Sequence, residues 1–301
     1  MSLFSFGICT DIQYADKETE ITQDSIKQYK CLHRVKEAVS YFLKEQDKLS
    51  FLTHLGIFFI FFFLKSIDKS ILSLGDIIDG NENEDKTIED LDAVLNELSP
   101  LSKLPIYHVI GNHCLRVPRE LLEKRLELKN PYYSFTIKSW KFLVLDSTDA
   151  CLKWPQDTEN YKFAIQWLEE NKGKEGAQTW NGAIMKKQLN WIESELTQAE
   201  QNGDKVIIFS HMPLLEKSAS PKHLIFNNNE VLSIFDRFNC VKVYFSGHYH
   251  KGGYEKRNLI HYVTLEAILE AENNAYGIVD VHENKVIING FGQLTSRILE
   301  F

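Results

Sequence analysis

Several short stretches of the sequence place Asp, Asn, Gln or His directly after an apolar run. The first is CTDIQYAD, Cys9 to Asp16, which follows Phe4 to Ile8. An aspartate at the carboxyl end of a buried strand is a common metal-ligand position. Its partner two residues on is often histidine, and here it is Gln13. Four more stretches follow: GDIIDG (Gly75 to Gly80), GNH (Gly111 to His113), Ser210-His211 and GHYH (Gly247 to His250). Each alone has an ordinary reading. GDIIDG makes a tight turn with solvated aspartates, GNH is a turn, and His211 is a satisfied core histidine. GHYH says more, because alternation in an extended segment would put His248 and His250 on one side. Taken together, oxygen and imidazole donors without thiolate suit hard or borderline divalent cations. The neighbouring glycines let backbone come close to a ligand. Five such ends in order outweigh five unrelated turns.

The elements that must position these residues alternate along the chain. IKQYKCLHRVKEAVSYFLKEQ carries Leu32, Val35, Val39, Phe42 and Leu43 at helical spacing, and SILSLGD then reads as a buried strand. TIEDLDAVLNELSPL is a second amphipathic helix that stops near Pro100, and LPIYHVIGN a second buried strand. YYSFTIKSWKFLVLDS predicts two strands around a turn, and AIMKKQLNWIESELTQAE a helix with Ile184, Leu189, Ile192 and Leu196 on one side. KVIIFSH, CVKVYFSGHYH, NLIHYVTLEA, AYGIVDVHE and KVIINGFG predict further strands. Early strand–helix alternation followed by late hairpins predicts an α/β protein with helices covering packed mixed sheets. Sites in such sheets form at the carboxyl ends of strands, where the five stretches fall.

The chain has 301 residues, 44% hydrophobic and 25% charged, which suits a single domain spanning 1–301, with two domains sharing a core as the alternative. A formal charge of −8 argues against binding along a nucleic-acid backbone. The 5 cysteines are scattered without a C-x-x-C pair, as in a cytoplasmic protein with reduced thiols. No secretory leader is expected at the start. The tract Phe51 to Leu64 is apolar except for Thr53, His54 and Gly56. It falls short of the roughly 20 residues a membrane span needs, so no membrane partner is expected.

The ordered set D-x-Q, GDxxDG, GNH, a lone strand-end His and GHxH resembles the calcineurin-like metallophosphoesterase signature. D-x-Q in place of D-x-H, NGAIMKKQLNW (Asn181 to Trp191), SHMPL, GHYHKGGY and VTLEA narrow the resemblance to the manganese-dependent ADP-ribose/CDP-alcohol diphosphatases. The resemblance implies a four-layer α/β/β/α sandwich with two mixed sheets. It also implies two divalent metal ions, Mn²⁺ first. Asp11, Gln13 and His250 would hold one, Asn112, His211 and His248 the other, and Asp76 would bridge them. Two cations about 3.5–4 Å apart can hold a hydroxide and clamp a phosphoryl oxygen. His113 would protonate the leaving oxygen, oriented by Asp79; the plainer role of Asp79 is a turn or helix cap.

The implied substrate is a small nucleoside diphosphate derivative, and the protein is expected to act as a monomer. Tyr14, Tyr249, Tyr254 and Phe226 are candidates to stack on a base, with ordinary packing as the competing role. Lys251 is a candidate phosphate contact or a solvated charge. A phosphodiesterase or phosphomonoesterase of the same superfamily, and a non-catalytic binding module on this scaffold, are the alternatives. Two positions depart from the family pattern. Cys114 stands after GNH where Asp or Glu is usual, and is expected to be a packing residue. An apolar insertion occupies about residues 50–70. It is expected to be intron-derived sequence rather than a true insertion, which a transcript reading continuously through codons 50 to 70 would contradict.

Overall fold

The computed structural model describes residues 2–45, 51–52, 71–101 and 106–301, with the backbone alone at 51, 52, 71 and 72. They gather into two compact units. One comprises Met1–His108, His113–Asn130 and Glu266–Phe301; the other comprises Val109–Asn112 and Pro131–Leu265. Among the described residues no helix is long and apolar enough to cross a membrane.

The first unit is built on a mixed sheet. Its strands run in the order Arg297–Glu300, Lys285–Gly292, Ala275–Val281, Phe4–Cys9, Ile71–Ser73 and Ile106–His108. Phe4–Cys9 is buried at every position, as a central strand covered on both faces must be. It runs antiparallel to Ala275–Val281 and parallel to Ile71–Ser73, which is parallel to Ile106–His108. The three strands that precede the D-x-Q, GDIIDG and GNH stretches therefore end at one edge of the sheet. The helix Leu32–Glu45 buries Val35, Val39 and Phe42 of the predicted stripe, with Ala38 beside them, while Leu32 and Leu43 are half-buried. The helix Glu84–Leu98 starts at Asn83, whose side chain accepts from the Lys86 N–H.

Phe6 pairs with Phe51, and the next residue, Gly7, pairs with Ile71. Successive rungs on one side of the first strand are thus supplied by residues far apart in sequence. The expected insertion otherwise lies outside the described residues. Joining Phe51 directly to Ile71, by deleting 52–70, preserves this succession of rungs. The shortened chain is expected to fold with an unchanged circular-dichroism spectrum and a thermal midpoint no lower than the full chain's.

The second unit is built on another mixed sheet. Its strands run in the order Lys251–Arg257, Ile260–Glu266, Val241–Ser246, Lys205–Phe209, Trp140–Val144 and Tyr133–Ile137. Trp140–Val144, Lys205–Phe209, Val241–Ser246 and Ile260–Glu266 are mutually parallel. The helix Lys186–Asn202 lays Leu189, Ile192, Leu196 and Ala199 on a core shared with Val206, Ile208, Val241 and Tyr244. It ends at Gly203 in the left-handed conformation, the usual stop. The predicted helices and strands in the described residues are present. The strands Glu20–Ile21, Ile26–Lys27, Lys251–Arg257 and Arg297–Glu300 and the helices Arg119–Arg125, Glu159–Glu170 and Asn228–Phe235 were not anticipated.

Candidate metal centre

In the first unit, the loops after Phe4–Cys9 and Ile71–Ser73 run alongside each other. Asp11 N–H donates to Gly75 O, Gln13 N–H to Asp76 O, and Tyr14 N–H to Ile77 O. The other side of the first loop is held by Ile268 and Leu269, whose N–H groups donate to Thr10 O and Asp11 O. The buried Arg34 guanidinium donates in turn to the carbonyls of Ile268 and Leu269. Asp11 and Asp76 are fully buried and Gln13 nearly so. The Gln13 amide lies 3.4 Å from Asp11 Oδ1 and 3.3 Å from Asp76 Oδ2. Its NH₂ end faces these carboxylates. A half-turn about the last side-chain bond presents the carbonyl oxygen there instead, the donor a cation takes.

Asp76 Oδ1 accepts the His113 backbone N–H at 2.8 Å. The His113 ring engages Asp79. Its Nδ1 lies 3.0 Å from Asp79 Oδ1 and 3.1 Å from Asp79 O. Two oxygen acceptors at Nδ1 place the proton there and leave Nε2 for chemistry. Asp79 Oδ2 also takes Lys17 Nζ at 2.5 Å. Burial works to raise the Asp79 pKa, but the bonds to His113 and Lys17 outweigh it and hold the carboxyl below its ordinary value. Burial works to lower the His113 pKa, but the charges of Asp76 and Asp79 outweigh it and raise it. Lys17 was not singled out in the sequence, where a lysine in a loop carries no signal.

In the second unit, His211 follows Lys205–Phe209 and His248 follows Val241–Ser246. Both are buried. Their ring centroids are 4.9 Å apart, and potential ligand atoms of the two lie within 4.8 Å. His211 Nε2 and Asn112 Oδ1 are 3.1 Å apart. Two donors about 2.1 Å from one cation, at right angles, lie about 3.0 Å apart. His248 Nε2 is 2.9 Å from Asn181 Oδ1. His250 is half-buried, next to the strand Lys251–Arg257. GHYH is not the extended segment that its sequence predicts. His248 has φ 66°, and the chain turns with Tyr249 N–H on Gly247 O and Gly252 N–H on Tyr249 O. Alternation therefore does not put the two histidines on one side.

Asn112 carries the oxygen beside His211, and the N–H of the next residue, His113, is on Asp76.

Seven described non-glycine residues have positive φ: Asp11, Gln13, Asp76, Glu127, Lys138, His248 and Asn258. Four of the seven are candidate ligands. Such backbone costs of order 1–3 kcal/mol per residue and gathers at functional sites.

The base-stacking candidates fare differently. Phe226 is buried with its face on Trp167, centroids 4.3 Å apart, so it is a packing residue. The Tyr254 hydroxyl is engaged with His261 Nδ1 at 2.9 Å. Tyr14 is half-buried. Tyr249 lies 5.1 Å from the His223 ring, which is itself 5.3 Å from that of His248. Lys251 is exposed. Cys114 is buried, and all five cysteines are free thiols.

Gly182 belongs to the NGAIMKKQLNW stretch. A Cβ there would meet Ser147 O at 2.5 Å and Ala150 O at 2.9 Å. Gly182→Ala is expected to cost about 1–3 kcal/mol of stability, the scale of overpacking a rigid site, read as a lower urea midpoint.

The calcineurin-like phosphoesterase family model matches residues 4–252. The manganese-dependent ADP-ribose/CDP-alcohol diphosphatase of Arabidopsis thaliana is 30% identical, over 99% of this chain and 97% of that protein. Its namesake from Oryza sativa subsp. japonica is 31% identical, over 99% and 94%. A dimetal phosphatase from Danio rerio shares the fold with a TM-score of 0.88 at 23% identity, over the whole of both chains. The match of the family model and the length of these alignments place the chain in the calcineurin-like phosphoesterase family.

Proposed function

We propose that the chain hydrolyses the phosphoanhydride bond of small nucleoside diphosphate derivatives. ADP-ribose and CDP-alcohols such as CDP-choline would yield a nucleoside monophosphate and a phosphorylated fragment. The relatives' names support this substrate class. Two divalent cations, Mn²⁺ first, would take Asp11, Gln13 and His250 on one side and Asn112, His211 and His248 on the other, with Asp76 bridging. What carries the reading is the left-handed backbone at Asp11, Gln13, Asp76 and His248. Strain at four of seven assigned ligands has a use if those side chains must converge on cations. The donor set fits as well: carboxylate, amide oxygen and imidazole, with no thiolate.

Bound there, the cations supply Lewis acidity and a nucleophile at neutral pH. The chain's own groups do the rest. Asp76 would supply negative charge to both cations. His113 presents Nε2 to the leaving oxygen while Asp79 holds its Nδ1 proton. Lys17 completes the coordination of Asp79. We place the protein in the cytoplasm as a monomer with no nucleic-acid or membrane partner, in keeping with its acidic charge and five free cysteines.

Gln13 sets the metal preference in this account. An amide oxygen is a harder donor than imidazole and favours Mn²⁺ over zinc-like ions. Gln13→His is expected to narrow the advantage of Mn²⁺ over Zn²⁺ while keeping part of the activity; an unchanged ratio of the two metal activities would count against it.

Turnover of ADP-ribose, CDP-choline, a cyclic nucleotide and an aryl phosphate by Mn²⁺-loaded protein tests the substrate class. The two anhydrides should be cut with the highest kcat/KM. Preference for the cyclic nucleotide or the aryl phosphate would favour the phosphodiesterase or phosphomonoesterase reading. A folded protein inert on all four would favour a binding module.

A further inference from the structure

The stretch NGAIMKKQLNW is bound tightly into the second unit. Ala183 exchanges backbone hydrogen bonds with Ala150. The Asn227 amide pairs with both backbone groups of Ile184. Met185 N–H donates to Asp149 Oδ2, and Gln188 bonds Asp146 N–H, Asp146 O and Asp149 Oδ2. Gly182 is the one residue type that fits between Ser147 O and Ala150 O. These bonds anchor the segment immediately after Asn181.

Asn181 itself is completely buried. Its Nδ2 lies 2.9 Å from Lys222 O and 3.3 Å from Gly176 O. Both partners are carbonyl oxygens, which only accept. The NH₂ end of the amide must face them, so Oδ1 must face His248 Nε2, 2.9 Å away. An amide oxygen only accepts as well. His248 Nε2 therefore carries its proton, and in the neutral ring the lone pair is on Nδ1.

We propose that Asn181 is a positioning residue that fixes His248 in the Nε2–H tautomer and so presents Nδ1 as its metal donor. This rests on the metal role given to His248 above. Outer partners of ligating histidines set ring orientation and basicity, and their loss typically costs 10–100-fold in metal affinity. The same amide holds Lys222 O, next to His223, whose ring lies 5.3 Å from that of His248. One side chain thus fixes the ligand's tautomer and the turn that packs beside it.

The tautomer can be read without metal. Long-range ¹H–¹⁵N spectra of chelator-treated, ¹⁵N-histidine-labelled protein distinguish protonated from unprotonated ring nitrogens, and His248→Gln assigns the signal. Wild type is expected to show His248 protonated at Nε2. Asn181→Leu should lose that uniform tautomer and bind one Mn²⁺ roughly 10–100-fold more weakly. Asn181→Asp keeps an acceptor toward Nε2 and should retain the Nε2–H tautomer, at a cost in stability from setting a carboxylate oxygen against the Lys222 and Gly176 carbonyls. A wild-type His248 protonated at Nδ1 would overturn the proposal, since Nε2 would then be the donor and Asn181 a ligand beside it. So would a folded Asn181→Leu protein with the tautomer and Mn²⁺ affinity of wild type. If Asn181→Leu does not fold, the wild-type spectrum still decides. A wild-type protein with the Nε2–H tautomer but no Mn²⁺ binding would overturn the metal reading rather than the tautomer assignment.

Discussion

Asp76→Ala is expected to lower kcat/KM for ADP-ribose by about a thousandfold or more, the scale on which a metal stabilises developing charge on phosphorus. Asp76 is the one residue assigned to both cations. It is fully buried, sits at φ 49°, and has an oxygen toward each neighbour: Oδ1 accepts the His113 N–H and Oδ2 faces Gln13. Removing it takes the shared anion away and also frees the backbone that carries Asn112 and His113. Mn²⁺ stoichiometry should fall along with turnover. Asp76→Asn keeps the shape and the N–H bond, so it separates charge from geometry. If charge dominates, Asp76→Asn should be nearly as damaged as Asp76→Ala. Near-wild-type activity in Asp76→Asn would count against a bridging carboxylate.

His113→Gln should lose turnover without losing metal. The ring is tied through Nδ1 to Asp79, and its Nε2 is assigned to the leaving oxygen rather than to a cation. General acid catalysis contributes about 10²–10⁴-fold. The leaving group of an anhydride is a phosphate ester whose second pKa is near 6, so it needs less protonation than an alkoxide. The loss on ADP-ribose should therefore lie near the lower end, about 10²-fold in kcat. It should be larger on a phosphodiester with an alkyl leaving group. Mn²⁺ affinity, measured by titration, should stay near wild type. Asp79→Asn should have a smaller effect, because the Asp79 backbone carbonyl also accepts from Nδ1. Equal losses on both substrate types, or loss of Mn²⁺, would show that His113 acts on the metals and not on the leaving group.

The candidate ligands were legible because of how α/β sheets are built. A parallel strand buried on both faces is mostly apolar, so the Asp or His that closely follows the apolar run marks its carboxyl end. Phe4–Cys9, Ile71–Ser73, Lys205–Phe209 and Val241–Ser246 each announce their loop in this way. The helices Leu32–Glu45, Glu84–Leu98 and Lys186–Asn202 were legible from a single apolar stripe. Groups whose meaning depends on distant partners were not. Arg34 reads as a solvated helix residue until its guanidinium meets the carbonyls of Ile268 and Leu269. Lys17 and Asn181 gain their roles only from Asp79 and His248. An Asn-Gly pair reads as a turn wherever it occurs. The left-handed backbone at Gln13 was also hidden, since glutamine does not favour it. For His248, that conformation is why the expectation of an extended GHYH failed.

These residues are proposed to bind two cations which act together. The most direct test is Mn²⁺ titration of metal-stripped protein, with bound ion followed by electron paramagnetic resonance and ADP-ribose turnover measured on the same samples. Two Mn²⁺ per chain are expected, with a spin-coupled signal as the second ion binds and turnover that rises with that second ion. A single uncoupled Mn²⁺ with full turnover, or full turnover in the stripped protein, would contradict that proposal.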